Sequence, residues 1–212
     1  WDEWVEQRED QTELVRHQGP PSAYTNDVTS LLYGWTDLGL YGDWAFLSGY
    51  GYGWMPRGVG FGWRPFSYGR WGWYPGFGYT WISFEPWGWL PYHYGFGTYY
   101  PGLGWCWIPS GFSMWSPGIV TWYQGSGWVG WAPRTDPRGR YPCPATQGCG
   151  TRVSEDTFRE GRTIIPERVL GGDPRTGRQV ERPDVPPSVL AHLPGVPTGR
   201  VVPGPAGTRT GG

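Results

Sequence analysis

Trp63-Arg64-Pro65-Phe66-Ser67-Tyr68-Gly69 and, 26 residues on, Trp89-Leu90-Pro91-Tyr92-His93-Tyr94-Gly95 are two versions of one phrase. Tyr-Gly recurs at Tyr41, Tyr68 and Tyr94, at intervals of 27 and 26 residues. Trp-x-Pro recurs at Trp54, Trp63, Trp73, Trp89, Trp107 and Trp131. A fixed period of this size is the signature of stacked supersecondary units. Within each unit, Trp71-Gly72-Trp73, Trp87-Gly88-Trp89 and Trp105-Cys106-Trp107 alternate large rings with small residues. That is the two-residue period of a strand with one buried face. Proline removes a ladder donor, so strands should end near each Trp-x-Pro. Pro75-Gly76-Phe77-Gly78 and Pro101-Gly102-Leu103-Gly104 read as turns in which glycine supplies positive φ. The expected fold is all-β: short antiparallel hairpins with an aromatic core, the first Trp of each Trp-x-Pro unit buried.

Outward from the repeats the composition changes. All 17 tryptophans lie between Trp1 and Trp131, and only Tyr141 and Phe158 are aromatic beyond them. Three segments are therefore expected: residues 1–40, an N-terminal helix and linker; 41–133, the repeat domain; and 134–212, an extended Gly/Pro/Arg-rich tail. Residues 1–18 space Trp1, Trp4, Val5, Leu14 and Val15 as one helical face, and Gly19-Pro20-Pro21 ends it. In the tail, Ser154-Glu155-Asp156 is a capping sequence for a single helical turn ending at Gly161, and 188–193 could form another.

Charge follows the same division. Residues 1–133 hold ten acids against five arginines, and the remainder holds twelve arginines against eight acids. There is no lysine. Arginine forks pair with carboxylates and stack on rings, so Arg168, Arg175, Arg178, Arg182 and Arg200 are candidates to dock the tail on an aromatic, acidic body. The expectation is that it crosses onto a neighbouring subunit. No dense basic run is present, which speaks against nucleic acid as a partner. Residues 86–133 carry no formal charge but are interrupted throughout by Gly and Pro, so no transmembrane segment is expected.

Cys106, Cys143 and Cys149 lack metal-ligand spacing, and the three histidines stand apart, so neither metal nor cofactor is expected. The reading adopted is a Cys143–Cys149 disulfide with Cys106 buried and free; three separate thiols are the alternative. A disulfide requires an oxidising compartment. The chain starts at Trp1 rather than Met, consistent with a removed leader.

Several phrases resemble a family of exported bacterial Trp/Tyr/Gly-rich domains that often accompany FecR-type domains. They are Tyr41-Gly42-Asp43-Trp44, the run from Trp63 to Trp73, Tyr79-Thr80-Trp81, and Pro86-Trp87-Gly88-Trp89-Leu90-Pro91-Tyr92-His93-Tyr94-Gly95. The helix before the repeats and the segment Val153 to Arg162 are similar to family features too. The resemblance implies export and a β-rich fold and brings no established activity. One departure is Tyr94-Gly95-Phe96-Gly97, where the family places Trp last.

Glu85 and His93, eight residues apart, are an acid and an imidazole within the repeats. The bland reading, a strand-end carboxylate and a histidine stacked among Tyr92 and Tyr94, outweighs an acid–base pair, since no other catalytic motif accompanies them. The chain is read as no enzyme. Two functions remain. The first is a secreted structural subunit of an extracellular filament or surface layer, self-associating through its rings and tail. The second is a non-catalytic carbohydrate- or cell-wall-binding module. In either, Trp71, Trp73, Trp87, Trp89, Trp105 and Trp107 are the candidate platform, in a secreted or cell-envelope setting.

Overall fold

The computed structural model describes residues 34–60, 62–109, 115–135, 143 and 149–188. The helix expected over 1–18, the helical turn expected over 188–193 and the terminal segment with Arg200 lie outside them, except for Ser188 itself. The protein is all-β, built from antiparallel hairpins around tryptophan.

The repeat is a hairpin in a constant register. Its three copies are β1 (Gly42–Leu47) with β2 (Gly51–Pro56), β3 (Gly69–Tyr74) with β4 (Gly78–Ser83), and β5 (Phe96–Tyr100) with β6 (Gly104–Ile108). Each turns through a three-residue loop whose central glycine, Gly49, Gly76 or Gly102, has φ of 85, 88 or 81°. That left-handed position is what such a loop requires. Trp44 faces Trp54 and Trp71 faces Trp81 at the same step of the ladder. In the third copy Gly97 faces Trp107. Gly97 thus departs from the other two copies, which carry Trp44 and Trp71 at this step. Where a ring would stand, the chain leaving the fourth hairpin crosses, with the Gly97 N–H donating to the Arg134 carbonyl at 3.2 Å.

A fourth hairpin, β7 (Val120–Gly125) with β8 (Trp128–Pro133), has a two-residue turn and pairs Trp122 with Trp131. One sheet has the order β1-β2-β6-β5, joined where Trp54 faces Trp107. The other has the order β10-β7-β8-β9, in which β9 spans Thr151–Ser154 and β10 spans Arg178–Val180, and β3–β4 stands as a two-stranded ribbon. Trp71 packs against Trp81, Trp122 and Trp131 at centroid distances of 5.1, 4.4 and 5.6 Å, so rings of two hairpins meet in one core. Such contacts contribute about 0.5–1.5 kcal/mol each beyond the area they bury. Phe66 lies at φ 60°, uncommon for a residue with a side chain. Its ring packs on Tyr92 at 4.4 Å and its carbonyl accepts the Trp131 indole N–H at 2.9 Å, which holds it there.

Proline behaves as expected for four of the units. Pro56 and Pro133 are the last residues of β2 and β8, and Pro75 and Pro109 follow β3 and β6 directly. Burial of every first Trp does not hold. Trp54, Trp107 and Trp131 are buried, Trp63 and Trp73 are partly so, and Trp89 is 42% exposed. Trp89-Leu90-Pro91 is not a strand at all. It opens a short helix, α2 (Trp89–His93), whose first turn tolerates Pro91 because no intrahelical partner awaits its missing N–H.

The expected segment boundaries also change. The body begins earlier than residue 41, because helix α1 (Trp35–Tyr41) buries Trp35 and Leu38. It also continues past residue 133. Strand β9 (Thr151–Ser154) pairs with β8 and leads into helix α3 (Glu155–Arg159), capped by the Ser154 hydroxyl accepting from the Thr157 N–H. Val153, Phe158, Ile164 and Val185 are all buried in the central core. Strand β10 (Arg178–Val180) pairs with β7, and the Tyr79 hydroxyl donates to the Val185 carbonyl at 2.9 Å. Residues 149–188 are therefore part of the body rather than an extended tail. A segment poor in apolar residues folds here because the tryptophans already supply the opposing surface; a few aliphatics and one Phe close it.

Candidate functional site

The ribbon β3–β4 has two faces of different character. Trp71 and Trp73 with Tyr79 and Trp81 turn to the core side, where Trp73 meets Tyr79 at 5.0 Å. The alternate residues Arg70 and Tyr74, with Thr80 and Ile82 across the ladder, form the floor of an open cleft of about 840 Å³. Its walls are Phe77 at the hairpin turn, Phe84 after β4, Trp89 and His93 of α2, and Trp115. Phe77 is 61% exposed, Phe84 and Trp89 are each 42% exposed, and Phe77 meets Trp115 edge-on at 5.2 Å. Concave sites of this size with mostly apolar walls and a few polar groups are the usual form of a ligand site.

The two titratable groups set aside as unpaired both line this cleft, each held by its own partners. His93 is buried between Trp89, at 4.6 Å, and Trp115, nearly parallel at 5.6 Å. Its stacking partners are thus these tryptophans rather than Tyr92 and Tyr94. Its Nδ1–H donates to the Ser116 carbonyl at 2.7 Å, and burial holds its pKa below the ordinary value. Glu85 accepts from the Trp63 indole N–H at 2.7 Å, from the Tyr92 hydroxyl, and from the Ser83 hydroxyl at 3.3 Å. Desolvation pushes its pKa up against the pull of those donors. Arg70 differs: among the described residues its guanidinium has no hydrogen bond or ion pair. Among the described residues there is no cluster of His, Cys, Asp and Glu that could hold a metal ion, and no helix long and apolar enough to cross a membrane.

The six tryptophans expected to form a platform do not lie together on the surface. Trp71, Trp87, Trp105 and Trp107 are 1, 5, 6 and 4% exposed and belong to the interior. Trp73 is partly buried against the core, and Trp89 alone faces the cleft. Alternation on a strand cannot tell which face is covered when both are apolar, and β6 is buried on both. Arg70, Phe77, Phe84 and Trp115 line the cleft and were not singled out in the sequence. Trp115-Ser116-Pro117 is itself a Trp-x-Pro unit, though outside the 26-residue phrase.

Cys143 and Cys149 form a disulfide with Cα atoms 5.6 Å apart, packed with Trp105, and Cys106 is a buried free thiol. Burial pushes the Cys106 pKa far up, so it is inert as a nucleophile. Of the arginines assigned to docking, the four described ones contact their own chain or are exposed. Arg175 forks onto Asp173 and reaches the Cys143 carbonyl, and Arg168 donates to the Thr163 carbonyl. Arg178 and Arg182 are exposed.

Residues 35–138 match a domain family described only as a family of unknown function (DUF6600). That match takes in all four hairpins and the cleft, and stops short of β9 and α3. No curated protein and no solved structure matches the chain.

Proposed function

We propose that this chain is a non-catalytic carbohydrate-binding module that works outside the cytoplasm, with its glycan seated along the outer face of the β3–β4 ribbon. The observation that carries this reading is the cleft itself. In a protein that hides most of its tryptophans, Trp89, Phe77 and Phe84 remain exposed around one concavity. Flat aromatic faces receive the apolar faces of sugar rings, and Arg70 on the floor supplies a polar contact. Glu85 and His93 are each engaged with protein partners, which favours binding over acid–base chemistry. Export is supported by the Cys143–Cys149 disulfide and by the resemblance to exported FecR-associated domains. Assembly through a tail that crosses between subunits is the weaker reading, because residues 149–188 are engaged with their own body. The test is calorimetric titration with a panel of soluble cell-wall and capsular oligosaccharides. Binding that weakens about tenfold in Trp89→Ala is expected, equivalent to about 1.4 kcal/mol. A folded protein that binds no member of the panel would sink the reading.

A further inference from the structure

Among the described residues, the cleft has one charge left unanswered. Arg70 lies on the floor at the open end of the ribbon, opposite Ile82 and four residues along β3 from Tyr74. Arg70 is a partly buried residue, yet among the described residues no carboxylate or carbonyl meets its guanidinium. Glu85, the one acid among the lining residues, spends its oxygens on Trp63, Tyr92 and Ser83. The histidine of the wall, His93, directs Nδ1–H to the Ser116 carbonyl. What the cleft offers a ligand is therefore a row of apolar rings with a single fixed positive fork at one end. From Arg70 to Tyr74 the floor runs about 13 Å at about 3.3 Å per strand residue. That length suits more than one sugar ring.

We infer that the ligand is an acidic oligosaccharide, a glycan of the uronic or muramic acid type. Its ring faces lie on Trp89 and Phe84, and one carboxylate is read by the Arg70 guanidinium. This inference rests on the carbohydrate-binding reading and adds the chemistry of the substituent. A guanidinium matches a carboxylate with two parallel N–H donors, which a hydroxyl or an acetamide at the same place cannot accept as well. The partial burial of Arg70 keeps the interaction from being as heavily screened as one on an open surface. A neutral glycan would leave the fork facing only water, so the charge would contribute nothing to its selection.

The experiment compares matched ligands on the folded chain: trigalacturonate against its carboxyl-reduced counterpart, and the GlcNAc–MurNAc disaccharide against chitobiose. Wild type should prefer the acid form of at least one pair by tenfold or more, with the preference falling as salt rises. Arg70→Gln should abolish the preference while leaving affinity for the neutral partner unchanged. Trp89→Ala should weaken both forms together. Thermal melts check that Arg70→Gln folds, as expected for a side chain outside the core. Equal affinity for acid and neutral forms, or a preference that survives Arg70→Gln, overturns the inference but leaves the carbohydrate reading standing. Failure of every sugar to bind removes both.

Discussion

The Trp54 indole lies against the backbone of Gly42 so closely that a Cβ there would sit 2.3 Å from Cε2 and 2.3 Å from the Met55 carbonyl oxygen. Gly42 pairs with Pro56, so the ring reaches diagonally across the ladder from two residues away. The same contact recurs twelve residues apart in the other copies. A Cβ on Gly69 would meet Trp81 at 2.6 Å, and one on Gly95 would meet Trp107 Nε1 at 2.8 Å. The glycine of each Tyr-Gly is thus the seat of the tryptophan on the returning strand, which explains why both recur with one period.

Gly42→Ala is accordingly expected to destabilise the protein by about 1–3 kcal/mol, the usual cost of overpacking. Trp54 cannot retreat, being 1% exposed and donating its indole N–H to the Leu38 carbonyl at 2.8 Å. Urea denaturation should show the midpoint lowered in Gly42→Ala and nearly unchanged in Gly60→Ala. A Cβ on Gly60 meets nothing within 4 Å and Gly60 has no positive φ, so that variant adds a methyl without the packing cost.

Those pairs also show what a sequence can reveal. The period, the glycine turns and the proline strand ends are local, so they are readable from Tyr41 to Pro133. The start at Trp35 was not, because one helical turn around Trp35 and Leu38 has no distinctive period. Nor was α2, where Trp89-Leu90-Pro91 copies a phrase used elsewhere to end strands. The cap at Ser154 was legible as a cap. That Phe158 beneath it fills a hollow between Tyr79, Trp122 and Trp131 was not, because the hollow exists only once distant hairpins meet. The cleft was the least visible feature. Its floor is the outer face of a ribbon whose inner face has the stronger pattern, and its far wall, Trp115, comes from outside the repeat.

Phe158 makes a direct check of that long-range closure. It is 1% exposed and stands 4.3 Å from Tyr79. Phe158→Ala should lower unfolding free energy by about 3–5 kcal/mol, the range for a large buried ring. Chemical denaturation followed by tryptophan fluorescence reads this, and a change below about 1 kcal/mol would mean α3 does not close the core.

Acid should weaken the fold through His93. Its pKa in the folded protein lies below the ordinary 6.5, because burial disfavours the imidazolium. The unfolded chain therefore binds a proton first as pH drops. The stability it represents is complete above pH 6.5 and is lost as pH falls through the folded value. Glu85 has the opposite sign: its folded pKa is raised above 4.5, so its contribution is present below that pH and lost as pH rises through the folded value. Unfolding free energies measured from pH 4 to pH 8 should show the His93 slope disappear in His93→Phe. The Glu85 slope should disappear in Glu85→Gln. A slope that persists unchanged in both variants would place the proton uptake elsewhere.

The Cys143–Cys149 bridge closes a short loop, with a sequence separation of 6, and packs on Trp105. Constraint of so small a loop stabilises by about 2 kcal/mol in the chain-entropy account. Dithiothreitol, or Cys143→Ser with Cys149→Ser, should lower the unfolding midpoint accordingly and leave the hairpins folded. Mass spectrometry of protein purified without reductant should find both sulfurs oxidised and Cys106 free.

Truncation after Ile165 distinguishes a segment that completes its own body from a tail that links subunits. The cut removes β10 from the edge of β7, takes Val185 out of the core and strips the Tyr79 hydroxyl of its acceptor. The Ser188 N–H bond to the Arg159 carbonyl, at 2.9 Å, and the Asp184 N–H bond to Gln124, at 3.1 Å, go with it. Full burial of a valine is worth about 1.5–3 kcal/mol, and each lost hydrogen bond about 1 kcal/mol net. A loss of several kcal/mol is therefore expected, large against the 5–15 kcal/mol typical of a domain. Burial of Tyr79 also holds its hydroxyl pKa up at about 12, so in the truncated protein that tyrosine should titrate closer to 10. Val185→Ala should reproduce roughly half of the stability loss without shortening the chain. Sedimentation velocity should give the same oligomeric state for the full chain and for both variants. Loss of an oligomer with undiminished stability would instead mean that this segment reaches across to a neighbour.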